Sequence, residues 1–136
     1  MLKLRFEILI MKKKITMFLN LNHYNLDFYK SAKELRRECY KLIVKLPPSE
    51  KYNLVDQMRR ACTSTVLNIS EGSSRKSQVE RNRFYEMSRG SVIEIDSCLE
   101  LIFEENYVPF EELEAVGKPL KTTFILLSNL INAGKK

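Results

Sequence analysis

Apolar residues recur every three or four positions in four separate segments of the chain, which is the period of an amphipathic helix. The first two segments contain Tyr29, Ala32, Leu35, Cys39, Ile43 and Leu46, followed by Leu54, Met58, Ala61, Thr65 and Ile69. The last two contain Phe84, Met87, Ser91, Ile95, Cys98 and Ile102, followed by Leu113, Val116, Leu120, Phe124, Leu127 and Ile131. Because short links between long helices make neighbouring helices antiparallel, the pattern predicts an all-α fold, an antiparallel up-down four-helix bundle, over residues 25–133.

Three residues mark the ends of these predicted helices. Gly72 suits the left-handed position after a helix, so the second helix is expected to end there, and Ser77-Gln78-Val79-Glu80 fits the capping box of the third. Pro119 lies inside the fourth segment, and because proline has no N–H donor we expect a kink or break near Gly117. Residues 68–76 connect the second and third predicted helices. They follow no strand and lack the motif of a phosphate-binding loop, so they are predicted to be a corner between these two helices.

Residues 1–17 differ from the rest of the chain. The sequence LKLRFEILI alternates apolar and polar positions, which is the period of a strand, but a lone strand has no partner in a helical bundle. This segment carries five cations and one anion. We therefore expect a loosely ordered, basic N-terminal extension, with Met17 as an alternative natural beginning of the chain.

The charge of the chain is unevenly distributed. The net charge is +6. Residues 75–89, the basic stretch, contain five cations and two anions, whereas residues 94–114, the acidic stretch, contain eight carboxylates and no cation. A basic stretch attracts nucleic acid or an acidic protein surface, and the acidic stretch could be that surface when copies of the chain assemble.

Several classes of protein are disfavoured by the same residues. Cys39, Cys62 and Cys98 show no C-x-x-C spacing, and His23 has no evident partner, so no metal site is predicted. Reduced thiols indicate a cytoplasmic protein, and no apolar run is long enough to cross a membrane. No arrangement of nucleophile, base and acid points to an enzyme, and no cofactor is expected.

The clustered arginines are the candidate contacts to nucleic acid. Arg81, Tyr85 and Arg89 are spaced by four, so they share one flank of the third helix, where guanidinium groups beside an aromatic ring would suit phosphates and stacked bases. The full set of candidates is Arg59, Arg60, Arg75, Lys76, Arg81, Arg83, Tyr85 and Arg89. The alternative is that this flank packs against acidic residues of a neighbouring subunit. Arg59 and Arg60 point about 100° apart on a helix, so one of them at most faces any given partner.

The chain resembles the four-helix bundle family of 23S ribosomal RNA intervening-sequence proteins over roughly residues 25–133. The residues that carry the resemblance are Leu46-Pro47, Glu50, Leu54, Gln57, Arg59-Arg60-Ala61, Ser64, Asn68 to Gly72, Arg75, Phe84, Gly90-Ser91 and Glu94. The resemblance implies a small bacterial protein of antiparallel helices that assembles as a homopentamer. A related group accompanies the reverse transcriptases of diversity-generating retroelements and is thought to bind nucleic acid. Position 119 and the N-terminal extension depart from the family pattern.

Together these observations predict a non-enzymatic, homo-oligomeric helical bundle that binds nucleic acid, RNA rather than DNA, through clustered arginines and lysines. The alternative is an assembly scaffold or adaptor that binds a protein partner and no nucleic acid.

Overall fold

The structure is a computed structural model that describes residues 1–135, without the side chains of residues 14–16. The five helices are α1 (Leu2–Met17), α2 (Asp27–Ile43), α3 (Leu54–Ser73), α4 (Gln78–Glu104) and α5 (Phe110–Gly134). Short 3₁₀ turns precede α2 at Asn22–Asn25 and α3 at Pro48–Glu50. Residues 1–135 include no strand, so the prediction of an all-α fold is confirmed.

Four of the helices enclose one core. α3 packs against α2 and α4, and α5 packs against α4 and α2, whereas α1 does not pack along any of the other helices. The start of α2 lies at the end of α3, where His23 Nε2 and Ser70 Oγ are 3.1 Å apart. The end of α2 lies at the start of α5, where Lys45 Nζ is 2.6 Å from Glu112 Oε1. The up-down order of a four-helix bundle stays a prediction.

Most of the predicted core positions are buried, but the seam of α4 is shifted by one residue in its first half. Met87 is exposed and Phe84 only half-buried, while Tyr85, Ser88 and Val92 are buried. Ser88 donates to the Thr65 carbonyl at 2.7 Å. The prediction for this part of the helix is wrong because the buried positions 85 and 88 are a tyrosine and a serine, whose polar groups hid the apolar stripe; Ser91, which was predicted, is buried.

The predicted helix ends have mixed outcomes. Ser77 Oγ accepts from the Glu80 N–H at 3.2 Å, so the predicted N-cap is confirmed. Gly72 does not take the left-handed conformation, and α3 continues through it to Ser73. A Cβ at position 72 would lie 2.9 Å from Phe84 Cβ, so the glycine serves close packing of α3 on α4. The prediction of a left-handed C-cap is therefore wrong.

The expected break at Pro119 is absent, because α5 runs unbroken from Phe110 to Gly134. Because Pro119 has no N–H group, the carbonyl of Ala115 has no donor within the helix. Ala115 is exposed, so water can donate a hydrogen bond to this carbonyl. Pro119 itself is buried, and its carbonyl accepts from Thr123 Oγ1 at 2.7 Å. Contacts of α5 with α2 and α4 on either side hold the helix through the proline.

The N-terminal segment is helical over Leu2–Met17. Its pattern of alternating apolar and polar residues has the period of a strand, and we expected it to be loosely ordered. An isolated strand would leave its backbone N–H and C=O groups without protein partners, whereas a helix bonds them to one another. The division into a 1–17 extension and a 25–133 domain stays a prediction.

Candidate nucleic-acid interface

Two arginines of the basic stretch are occupied by their own chain. Arg75 forms an ion pair with Glu71 one helical turn away. Arg81 Nη1 donates to the carbonyls of Arg75 at 2.8 Å and Lys76 at 2.7 Å, and its Nη2 donates to Gln78. Arg81 thereby bonds the otherwise unpaired carbonyls of the corner between α3 and α4. Its first role is to hold that corner.

Tyr85 does not lie on an accessible flank. Its side chain is 5% exposed, its hydroxyl is 3.1 Å from Ser73 Oγ, and its ring meets that of Phe28 edge to face. A buried ring cannot stack on a base. The assignment of Tyr85 to the nucleic-acid surface therefore does not fit its position. The seam of α4 is shifted by one residue from the predicted one, and this shift places Tyr85 in the core.

The other three candidates of the basic stretch are more accessible. Arg89 is half-buried and its Nη1 donates to Ser128 Oγ on α5 at 3.3 Å. Lys76 and Arg83 are exposed, and no ion pair of the described residues includes either side chain. The basic stretch thus presents separate cations on different sides of α4.

Arg59 and Arg60 diverge as their adjacency on α3 predicts. Arg60 pairs with Asp56 at 3.4 Å along its own helix. Arg59 turns towards α2, where its guanidinium carbon lies 6.0 Å from the centre of the Tyr40 ring. Of these two arginines, Arg59 is the one that lies near an aromatic ring of α2.

Tyr40 belongs to a groove between α2 and α3, which we call the α2–α3 groove. The groove has a volume of about 710 Å³. It is lined by Tyr29, Lys33, Arg36, Arg37, Tyr40, Lys41, Val44, Thr63, Val66 and Leu67. Four of these residues are cations, two are tyrosines, and none is a carboxylate. The groove is open to solvent along the outer face of α2.

The arginine at the centre of the groove is held in place by both helices. Arg36 Nε donates to Thr63 Oγ1 on α3 at 3.2 Å, and its guanidinium carbon lies 4.2 Å from the centre of the Tyr40 ring. A guanidinium stacked on an aromatic face keeps its N–H groups at its edge for an anion. No ion pair of the described residues includes Arg36, Arg37 or Arg59.

The other end of the groove is aromatic. Tyr29 stacks on Tyr24 at 5.3 Å between ring centres, and both meet the His23 ring edge to face. His23 is buried and bonded to Ser70, so the prediction that it has no partner is wrong. Burial lowers the pKa of His23 and raises the pKa of Tyr29, so both rings are neutral near pH 7. This cluster gives the groove a rigid aromatic end.

Sequence reasoning missed the groove because its residues are scattered along two helices. The four cations and both tyrosines lie on α2, whose carboxylates at 27, 34 and 38 dilute the charge in any linear count. A helical projection of α2 could have found the signal, because Tyr29, Lys33, Arg36 and Tyr40 are spaced by four, three and four.

The described residues contain no cluster of three His, Cys, Asp or Glu side chains that could hold a metal ion. The expectations of no cofactor and no enzymatic activity stay predictions. None of the helices within residues 1–135 is long and apolar enough to cross a membrane.

The helices and the groove define a helical protein with a basic, aromatic-lined surface. The chain belongs to the 23S rRNA-intervening sequence protein family, whose sequence model matches residues 24–129, and this confirms the resemblance. A crystal structure from Bacteroides thetaiotaomicron, of a protein with unknown function from the S23 ribosomal protein family, has the same fold. Its TM-score is 0.70 at 21% identity, over 76% of this chain and 97% of that chain. Comparison with curated proteins found no match.

Proposed function

We propose that this protein is a non-enzymatic helical bundle, of up-down antiparallel order, that binds RNA in the α2–α3 groove. The observation that carries the proposal is that Arg36 and Arg59 lie beside the Tyr40 ring, which lines a groove with four cations and no carboxylate. The name of the family, which links it to the intervening sequence of 23S rRNA, favours RNA over DNA.

The groove has the two features that single-stranded RNA requires. Cations along a groove neutralise phosphates, and aromatic rings provide platforms for bases whatever their sequence. Tyr29 and Tyr40 are eleven residues apart on α2, which corresponds to about 16 Å along the helix. This distance accommodates a short run of nucleotides between two aromatic positions. Lys76 and Arg83, both exposed, are further candidate contacts to phosphates.

The test compares two neighbouring arginines. Arg59→Ala removes a cation beside Tyr40, whereas Arg60→Ala removes an equal charge that is paired with Asp56 on another side of α3. We expect fluorescence anisotropy with a short unstructured RNA to show weaker binding for Arg59→Ala than for Arg60→Ala, by roughly threefold to tenfold. Equal losses would mean that only net charge matters, and no loss in either would remove the groove from the proposal.

The salt dependence tests the number of phosphates in contact. If three to five cations contact phosphates, the slope of log K against log salt should be about −2 to −3.5 for a single strand. Tyr40→Leu should weaken binding at every salt concentration without changing this slope, because the ring stacks and carries no charge. A slope near zero for the unaltered protein would contradict RNA binding.

A second candidate function, a scaffold or adaptor for a protein partner, is favoured by the apolar part of the groove. Val44 is 79% exposed and Leu67 is 61% exposed. Exposed apolar side chains at a groove are common in protein interfaces. Val44→Ser with Leu67→Ser removes apolar surface and no charge, so it should abolish partner binding or assembly if this candidate is correct, and should leave the salt slope of RNA binding unchanged if the first is correct.

The protein is also proposed to be a cytoplasmic homo-oligomer, a pentamer by the resemblance to its family. The exposed apolar residues on several helices support assembly, since monomeric proteins rarely leave large apolar patches in water. Light scattering coupled to size exclusion measures the subunit number directly. A monomer at micromolar concentration would contradict this part of the proposal.

A further inference from the structure

The rings at the aromatic end of the α2–α3 groove are arranged as a stacked pair with a third ring at its side. Tyr24 and Tyr29 are stacked, with 24° between their planes. The centre of the His23 ring lies 4.6 Å from that of Tyr24 and 5.0 Å from that of Tyr29. A ring at the end of the stack would be much farther from one tyrosine than from the other, so His23 lies beside the pair. Neither His23 nor Tyr29 therefore covers the outer face of Tyr24, the face that points away from Tyr29.

Tyr24 also lines a second cavity, between the end of α1 and the start of α2, which we call the α1–α2 crevice. The residues of its lining that matter here are Phe18, Tyr24, Asn25 and Lys30. Its volume is about 600 Å³, which lies within the range of sites for small molecules. The crevice shares Tyr29 with the α2–α3 groove, so the two cavities adjoin at this residue.

A second ring reaches the crevice from the link between α1 and α2. Phe18 is 56% exposed, and no ring contact of the described residues includes it. The chain turns after Phe18, because Asn20 takes the left-handed backbone conformation with a φ of 57°. Asparagine adopts this conformation more readily than most residues, and its side-chain amide donates to the Phe18 carbonyl at 3.0 Å. The turn therefore holds the backbone of Phe18 at the crevice.

We propose that the α1–α2 crevice binds one unpaired base of the RNA strand that occupies the groove, with the base stacked on Tyr24 and in contact with Phe18. An unpaired base has two flat faces, and aromatic side chains provide stacking surfaces for them. The Asn25 amide carries both donors and an acceptor for the polar edge of a base, and Lys30 is an exposed cation for the adjoining phosphate. The lining of the crevice includes no carboxylate that would repel the strand.

The two rings contribute to binding in different ways. Tyr24 is held by the stack with Tyr29 and by the edge of His23, whose Nε2 is 3.1 Å from Ser70 Oγ on α3. A platform that is already fixed does not have to be ordered when the base binds, which favours affinity. Phe18 is exposed to water in the free protein, so its ring loses contact with water when a base covers it.

Photocrosslinking in the full chain locates the base directly. A short unstructured RNA that contains 5-iodouridine, which couples to nearby aromatic side chains under ultraviolet light, is irradiated with the protein. Mass spectrometry then identifies the modified residues. We expect modification of Phe18 or Tyr24 in addition to Tyr40 in the groove. Modification of Tyr40 without either crevice residue would overturn the proposal.

Two leucine variants measure what the rings contribute to affinity. Phe18→Leu and Tyr24→Leu keep an apolar side chain and remove the flat ring, so fluorescence anisotropy should show RNA binding weakened by roughly fivefold or more. Neither variant should weaken binding of an abasic strand with the same number of phosphates, because that strand has no base to stack. Circular dichroism verifies that both variants are folded.

The matched control is Phe103→Leu, because Phe103 is 54% exposed on α4 and lines neither cavity. It should leave the affinity for both strands unchanged. An equal effect of Phe18→Leu and Phe103→Leu would overturn the proposal. An equal loss of affinity for the base-containing and the abasic strand in the Phe18 variant would also overturn it.

The inference rests on the proposed function, the binding of RNA in the groove, and the two can fail separately. Binding that is weakened by Arg59→Ala but not by Phe18→Leu would refute the role of the crevice and leave the proposed function standing. Absence of RNA binding by the unaltered protein would refute both. Calorimetry with adenosine monophosphate tests a free nucleotide as the occupant. If this nucleotide binds in a manner that depends on Phe18 while strand binding does not, the crevice belongs to a free nucleotide and the proposal is overturned.

Discussion

Replacing Gly72 by alanine should destabilise the protein, although alanine is the better helix former. An added Cβ would lie 2.9 Å from both Phe84 Cβ and Tyr85 Cε1 and 3.1 Å from the Arg81 carbonyl oxygen. Carbon atoms in good contact are about 3.5–4.0 Å apart, so all three neighbours would have to move. One of them is backbone of α4 and another is the Cβ of Phe84, and neither can turn away as the end of a flexible side chain does.

The size of the effect follows from two opposing terms. Overpacking of a core costs about 1–3 kcal/mol, whereas alanine in place of glycine stabilises a helix interior by at most about 1 kcal/mol. The expected net loss in the free energy of unfolding is therefore about 1 kcal/mol. Gly90 lies inside α4 with nothing within 4 Å of an added Cβ, so Gly90→Ala retains only the favourable term and should stabilise by up to about 1 kcal/mol.

Urea denaturation of both variants measures these terms. Each variant has a change in the free energy of unfolding, and both changes include the preference of alanine over glycine in a helix. Subtracting one change from the other removes this shared contribution and leaves the steric cost at position 72, about 1–3 kcal/mol. Gly117→Ala is a second control, because it also has open space around an added Cβ. Measurement at two protein concentrations separates folding from assembly. An equal gain in stability at positions 72 and 90 would refute the close packing of α3 on α4.

Three further predictions test other parts of the fold. Burial lowers the pKa of His23, so as pH falls the unfolded chain takes up its proton near pH 6.5 and the folded chain only at lower pH. The melting temperature should therefore fall between about pH 7 and pH 5, and less steeply in His23→Gln. Ser77→Ala removes the N-cap of α4 and should cost about 1 kcal/mol in urea denaturation, whereas Ser77→Asp should cost little. Contact with the Cys62 thiol and burial raise the pKa of Cys39, so the Cys39 thiol should react slowly with a thiol reagent in the native protein and rapidly after unfolding. An equal pH slope in His23→Gln, unchanged stability in Ser77→Ala, or rapid labelling of Cys39 in the native protein would contradict the respective prediction.

The amino-acid pattern determined the helical class and most of the core. Leu35, Met58, Ile95 and Leu127 were predicted from spacing and are fully buried, because a stripe of large apolar side chains must leave water wherever the helices meet. The cap at Ser77 was equally predictable, since an N-cap depends on residues within one turn of the chain.

Tertiary contacts decided what local rules left open. Gly72 satisfies the local rule for a C-cap, yet it serves the close approach of α4 to α3. Pro119 stays within α5 because two neighbouring helices pack on both sides of it. Tyr85 is polar at one end, so its burial depended on a hydroxyl partner at Ser73 that no spacing reveals.

The candidate interface shows the same division. Sequence alone indicated a basic protein with arginines available for an anion, because charge is a property of composition. It did not indicate the groove, because the groove depends on the approach of two helices. The pairs of Arg75 with Glu71 and of Arg60 with Asp56 are local, at a spacing of four residues, whereas the bond of Arg36 on α2 to Thr63 on α3 exists only where these helices meet. Charge is set residue by residue, but a binding surface exists only where packing brings residues of different helices together.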